Sequence, residues 1–305
     1  MVYTLTLNPA LDYVVKVPDY RNGQVNRAGE TAFLPGGKGI NVSIMLKHLG
    51  INSVPLGFAA GFTGKELERY LICEGCVPEF VYLAEGNTRI NVKLKAGTET
   101  EINAPGPKVT ERELEALKAQ IAGLESGDFL VLAGSIPKGL PESIYRDIMA
   151  DLQGKGVNVA VDTEGDALLQ TLPYQPFLIK PNHHELGDIF GVEINTKEMA
   201  AEYARKLQKQ GARNVLVSMA GQGAVLATEN GKGFAAEAPK GTVVNSTGAG
   251  DSTVAGFLVG YLETEDYETA FLKGICSGSA TAFSQGLGTA EEVEELLQSA
   301  SATGI

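Results

Sequence analysis

The chain has 305 residues, 44% of them hydrophobic and 20% charged, enough for one large domain with an appendage. Its 37 acidic against 25 basic residues give a formal net charge of -12, which excludes a continuous basic face for nucleic acid and means that any anionic ligand must be met locally. The opening MVYTLTLNPALDY carries neither a basic segment nor a long apolar one, and no stretch approaches the roughly 20 apolar residues of a membrane span, so a cytoplasmic protein without a membrane partner is expected.

In chain order, residues 10–34 (ALDYVVKVPDYRNGQVNRAGETAFL) alternate like strands, with turns and no helix. Residues 35–50 (PGGKGINVSIMLKHLG) then run from glycines into an amphipathic helix, and Gly64–Cys73 reads as a second helix. Cys73 and Cys76 at its end form a C-x-x-C, but no second pair or nearby histidine completes a zinc site, and a redox pair prefers a helix start. Residues 86–104 (GNTRINVKLKAGTETEINA) again alternate without a helix. From Glu125 onward, β-rich runs (DFLVLAG, VNVAVD, FLIKPN, RNVLVSMAG) alternate with amphipathic stretches, which predicts a mainly parallel sheet covered by helices on both faces. GAVLATENGKGFAAE reads as a hairpin turning at Asn230-Gly231, followed by helices at about 249–262, 266–284 and 290–299. The expected organisation is an α/β main domain of residues 1–9, 35–85 and 105–305, with 10–34 and 86–104 as antiparallel ribbons forming a small β-sheet lid. Ligand would lie between lid and sheet, at the carboxyl ends of the strands.

Four stretches carry candidate chemistry. In PGGKGIN, the spacing is neither that of a Walker A loop nor of a dinucleotide fingerprint. Lys38 and Asn41 project from the first turn of a helix behind a glycine turn, so they could take the charge and hydroxyls of a small anionic molecule; a turn needed only for packing is the competing reading. In LIKPNHHEL, Glu185 stands three residues after Asn182, which also suits a plain helix cap, and the adjacent His183 and His184 would point apart and sit at the surface. In VSMAGQGAVLA, Gly221 and Gly223 suit a tight turn or a close approach to phosphates. In NSTGAGDSTVAGF, Gly248, Ala249 and Gly250 could present amides to an anion at a helix N-terminus, with Asp251 placed to accept a hydroxyl proton; a helix-favouring Asp after a glycine turn is the alternative.

Taken together, GGKGIN and STGAGD, with TLNPALDY, KPNHHE and SMAGQGA in the same order, resemble the ribokinase-like (PfkB) sugar kinase family over essentially the whole chain, and its phosphosugar branch through GNTRINVKLK and ETEINAPGP. The resemblance implies an ATP-dependent phosphosugar kinase using Mg²⁺, with fructose 1-phosphate as the expected acceptor and tagatose 6-phosphate or fructose 6-phosphate as alternatives. It implies Asp251 as general base and Gly248 to Gly250 as anion hole, with Asp12, Gly37 and Asn41 at the sugar hydroxyls. Lys38, Arg27 and Arg89 would lie near the substrate phosphate, and Ser135 matches the serine of the family's G-S-[LI]-P turn. On the nucleotide side it implies Lys180, Asn182, Glu185, Ser218, Gly221 and Gly223, with Glu185 organising magnesium through water and Ala280 and Ser284 flanking adenine. Asn245-Ser246-Thr247 departs from the family's usual residues before G-A-G-D, and AGS stands where SGS is common. A non-catalytic sugar-phosphate sensor on the same scaffold is the reading from another class; it would have no need of Asp251. The alternating TRINVKL leads to the further expectation of a homodimer formed through the lid.

Overall fold

The computed structural model describes residues 1–305, the side chains of Thr98 and Glu99 excepted. Strand β1 (Val2–Thr6) leads into β2 (Ala10–Lys16), β3 (Glu30–Gly36) and helix α1 (Lys38–His48). Then come β4 (Ser53–Ala60), α2 (Gly61–Cys73), β5 (Val81–Leu83), β6 (Arg89–Ala96), β7 (Thr98–Ile102) and α3 (Glu111–Ala122). A β/α alternation follows through β8 (Phe129–Ala133), α4 (Ile144–Asp151), β9 (Asn158–Asp162), α5 (Gly165–Leu169), β10 (Leu178–Ile179), α6 (His183–Phe190), α7 (Lys197–Lys209) and β11 (Asn214–Ser218). The chain ends with the hairpin β12 (Ala224–Ala227) and β13 (Gly233–Ala236), then α8 (Ala249–Thr264), α9 (Tyr267–Phe283), α10 (Ala290–Leu297) and β14 (Thr303–Gly304).

Ten strands form one sheet in the order β14-β13-β12-β11-β10-β9-β8-β1-β4-β5. From β5 to β11 neighbours run parallel, and β12 to β14 add antiparallel edges. The chain leaves β1 toward β4 and β5 on one side and resumes at β8 on the other, which opens a crevice at the carboxyl ends beside β1. Central strands such as β8, FLVLA, are buried at every residue because helices cover both faces. One face packs Leu117, Ile121, Tyr145, Ile148, Ala204 and Leu207 from α3, α4 and α7. The other packs Val42 and Met45 of α1 with Val254, Phe257 and Phe271 of α8 and α9.

Helix α8 is buried along the whole of Asp251–Gly260, where the apolar run Val254–Gly260 follows Asp251, Ser252 and Thr253. It crosses α9 at glycine spacing: a Cβ on Gly256 would come 2.2 Å from Ser277 Oγ, and one on Gly278 would come 2.3 Å from Thr253 Oγ1. The close crossing immobilises α8 and therefore the position of Asp251 in its first turn.

The two segments without helices do make a separate four-stranded sheet, in the order β3-β2-β6-β7. Each ribbon is antiparallel, but β2 and β6 join them in parallel, with Asp12 opposite Asn91. Both strands emerge from the carboxyl side of parallel strands of the main sheet, β1 and β5, so they set out in the same direction. Strand β3 continues to Gly36, so the small sheet reaches directly into the glycine turn before α1.

Candidate active site

Side chains from four separate parts of the chain converge at the carboxyl ends of the main sheet. Gly37, at φ 122°, is the residue before α1 and brings Lys38 into the helix's first turn. A Cβ there would meet Thr6 Cγ2 at 2.8 Å, so the position requires glycine for both space and backbone. Lys38 Nζ donates to Asp162 Oδ1 at 3.2 Å, and Lys180 Nζ, from just after β10, lies 3.4 Å from the same oxygen. Asn41 Nδ2, in the same first turn as Lys38, donates to Asp251 Oδ2 at 2.8 Å. Lys38 and Asn41, expected on the sugar side, Lys180, expected on the nucleotide side, and Asp251, expected as the base, thus form one cluster.

Its centre is Asp162, which the sequence reading missed. It ends β9 as the one acid of the apolar run VNVAVD and is 2% exposed, with Oδ2 buried and free of any hydrogen-bond partner. An acid closing a parallel strand at the ligand end of an open sheet is the signal that could have found it.

Electrostatics separates the two carboxylates. Burial alone would raise Asp162, but the ammonium groups of Lys180 and Lys38 hold it below the ordinary carboxylate range. Asp251 is buried too, and burial followed by the charge of Asp162 pushes it up to about 7, against the opposing effects of the Asn41 hydrogen bond and the two lysines. Lys38 is lowered by burial but more than restored by Asp162, Asp251 and Glu185, to about 12. The cluster therefore holds a charged acid between two charged lysines and, beside it, an acid that titrates near neutrality, where a general base works best.

Gly248 precedes α8 in the left-handed region at φ 82°, with no side chain capping the helix, so first-turn amides remain for an anion. A Cβ on Gly250 would stand 3.2 Å from Lys180 Nζ, which sets an ammonium beside those amides. Of the three amides expected to form an anion hole, that of Ala249 is already engaged: its N–H donates to Ser246 O at 3.2 Å, because the preceding turn closes on it.

On the small sheet, Asp12, Arg89 and Asn91 share one face by strand alternation. Asp12 lies 3.6 Å from Lys93 Nζ and rests on Gly36, where a Cβ would come within 2.7 Å of its carboxylate. Arg89 is half-buried, with Nε donating to Asn8 O at 3.1 Å and Nη1 to Ala104 O at 3.3 Å. Burial lowers its pKa from the ordinary guanidinium value, with Asp12 opposing.

The other expected residues are less closely joined. Arg27 is exposed on the loop between β2 and β3, outside the connected cluster. Ser135 is exposed one residue after Gly134, whose Cα faces Lys38 Cβ. Asn182 and Glu185 form a reciprocal cap of α6, with Asn182 Oδ1 accepting from the Glu185 amide at 2.9 Å and Glu185 Oε2 from the Asn182 amide at 2.8 Å. Asn182 also bridges in parallel to Ser218 at the end of β11. Gly221 is exposed in a short 3₁₀ turn, whereas Gly223, at φ 90°, is buried where a Cβ would strike Ala236 O at 2.0 Å. Ala280 is 2% exposed against Gly288, and Ser284 donates to Glu292 Oε1 at 2.8 Å. The rings of His183 and His184 lie 3.9 Å apart, correcting the expectation that they diverge. Among the described residues, no helix is long and apolar enough to cross a membrane, and no group of three or more His, Cys, Asp or Glu side chains could hold a metal ion.

Known proteins match this chain over nearly its whole length. The family model described as pfkB family carbohydrate kinase matches residues 2–294. The chain is 49% identical over 297 residues to the 1-phosphofructokinase of Bacillus subtilis, covering 97% of each. It is 36% identical over 297 residues to the D-tagatose-1-phosphate kinase of Bacillus licheniformis, again covering 97% of each. The crystal structure of phosphofructokinase-2 from Escherichia coli in complex with substrates and products superposes with a TM-score of 0.92 at 29% identity, over 97% of this chain and 98% of that one. A match of this extent, on a fold whose crevice gathers Lys38, Asn41, Asp162, Lys180 and Asp251, means that the chain belongs to the pfkB family of carbohydrate kinases.

Proposed function

We propose that the enzyme transfers the γ-phosphoryl group of ATP to the 6-hydroxyl of fructose 1-phosphate, giving fructose 1,6-bisphosphate and ADP in the cytoplasm. The observation that carries the chemistry is Asp251: a buried carboxyl pushed up to about 7, in the first turn of an uncapped helix and hydrogen-bonded by Asn41. Asp251 would take the proton of the attacking hydroxyl, while free amides of the α8 N-terminus and the Lys180 ammonium stabilise charge on the transferring group. Asp12 would orient the sugar through its hydroxyls and Arg89 would anchor the substrate's own phosphate.

The donor atoms fit the Mg²⁺ expected with ATP: Asp162 Oδ2 is buried without a partner, and a hard cation that takes one or two carboxylates plus phosphates suits it. Asp162, with Glu185 through water, would hold that ion, which would neutralise phosphate charge when bound. A base in this position gives the sensor reading no support.

Similarity to both 1-phosphofructokinases and a D-tagatose-1-phosphate kinase favours a ketose phosphate acceptor and keeps a tagatose phosphate as the second reading. An ADP-release assay across fructose 1-phosphate, tagatose 1-phosphate, tagatose 6-phosphate, fructose 6-phosphate and fructose tests it. The highest kcat/KM is expected with fructose 1-phosphate, and a higher value with unphosphorylated fructose would refute a phosphosugar kinase.

In the same reading the small sheet acts as a lid over the sugar and pairs with a second copy. Phe33 and Ile102 are exposed on its face opposite Asp12, which supports an apolar contact. Added fructose 1-phosphate should protect amides of residues 10–34 and 86–104 from exchange; no change, with a monomeric mass, would refute lid and dimer together.

A further inference from the structure

The polar cluster on the small sheet contains a residue with no role so far. Asn91 is 7% exposed on β6, directly opposite Asp12 in the parallel register. Its Nδ2 donates to Asp12 Oδ1 at 2.9 Å, and its Oδ1 accepts from the Ala104 amide at 3.3 Å. The orientation of the amide follows from chemistry, because an ionised carboxylate only accepts and a backbone N–H only donates. The same Ala104 presents its carbonyl to Arg89 Nη1 at 3.3 Å. Arg89 Nε is fixed by Asn8 O at 3.1 Å, and Asn8 Nδ2 in turn holds Pro105 O at 3.2 Å.

From these contacts we infer that Asn91 is a positioning residue for the acceptor substrate: it fixes the rotation of the Asp12 carboxylate and ties it to the segment that holds Arg89. The inference rests on the phosphosugar reading above, in which Asp12 meets a hydroxyl and Arg89 meets the phosphate. A carboxylate reads hydroxyls well only if its lone pairs are held in place. Asp12 is held on three sides: by Asn91 at Oδ1, by Lys93 near Oδ2, and by Gly36 beneath, where no Cβ would fit. Asn91 reaches from this carboxylate to Ala104, the residue whose carbonyl also holds the guanidinium. One buried amide thereby makes hydroxyl recognition and phosphate recognition depend on each other.

Steady-state kinetics on the full chain tests this. Asn91→Ala should raise KM for fructose 1-phosphate by about 10-fold or more, as expected for a lost hydrogen bond to a charged group, and change KM for ATP by less than about twofold. Asn91→Asp keeps the size and the acceptor for Ala104 but loses the donor to Asp12. It should raise the same KM at least as much, and it supplies the measurement if the alanine variant does not fold. In an Asp12→Ala background, Asn91→Ala should add no more than about a twofold change, because a positioning effect vanishes with the group positioned. Equal rises in both KM values, or a full additional loss in the Asp12→Ala background, would overturn the assignment of Asn91 while leaving the kinase reading intact. An Asp12→Ala variant with unchanged KM for fructose 1-phosphate would instead remove Asp12 from the sugar, and the reading beneath the assignment with it.

Discussion

Asp251→Asn should abolish most turnover and stabilise the protein, two effects of opposite sign from one buried carboxyl. In the proposed role of general base, its loss should lower kcat by about 10²–10⁴-fold, since the amide keeps the shape but cannot take a proton. The stability effect follows from the pKa, raised from the ordinary 3.8 to about 7 by burial and by Asp162. The folded state therefore binds this proton more tightly than the unfolded chain, and the stability it contributes is fully present below about 3.8 and lost as pH rises through about 7. Over that window the loss is at most roughly 4 kcal/mol, at about 1.4 kcal/mol per pH unit. The asparagine stays neutral at every pH, and its side-chain oxygen can still accept from Asn41 Nδ2. The variant should thus melt above the wild type at pH 8.5, with the gap shrinking toward pH 5. Wild-type kcat should fall as pH drops below about 7, where the base becomes protonated. ADP release at saturating substrates and thermal unfolding, both from pH 5 to 9, measure all of this. A variant with near-normal kcat would remove Asp251 from proton transfer. A variant less stable than wild type by a constant amount at every pH would refute the electrostatic account of its environment.

Asp162→Asn should cost about 3 kcal/mol, because Lys38 and Lys180 lose their shared buried carboxylate, and should move the acid limb of the kcat profile to lower pH, because the charge raising Asp251 is gone. An unmoved or higher acid limb would contradict that origin of the Asp251 shift. Gly36→Ala places a Cβ 2.7 Å from the Asp12 carboxylate, so KM for the phosphosugar should rise about 10-fold with KM for ATP unchanged; equal effects on both would mean that Asp12 is not at the sugar. Arg89→Ala should raise KM for the phosphosugar about 10- to 100-fold and spare KM for ATP, whereas equal effects would place Arg89 elsewhere.

What was legible in the sequence was what local residues decide. Glycines running into helix starts announced both loops, because a turn with φ above zero and uncapped amides are written within a few residues at Gly37 and Gly248. Buried parallel strands are legible as apolar, β-rich runs such as FLVLA in β8. What was not legible depends on distant pairing. The parallel register of β2 with β6 joins residues about 80 apart, and alternation within each ribbon says nothing about which ribbon edge meets which. Asp162 looked like any acid at a strand end until the fold brought Lys38, 124 residues away, and Lys180 to it. Gly36 reads in sequence as part of the glycine turn before α1, but its φ is unexceptional and its small size serves Asp12, which rests against it.

The same distinction separates identifying a base from knowing its strength. The motif GAGD places an acid at a helix start, where the dipole would by itself favour the charged form and a pKa below the ordinary range. The fold overrides that local tendency: the carboxyl is buried, with Asn41 of α1 against it, and Asp162 sets a second negative charge beside it. Both nearby lysines are already held by Asp162, so their attraction for Asp251 is only the smaller opposing effect. A charged acid pinned between two cations thus keeps its neighbour proton-hungry near neutral pH, a property that belongs to the arrangement of four side chains from α1, α8 and the ends of β9 and β10 and to none of the sequence motifs separately.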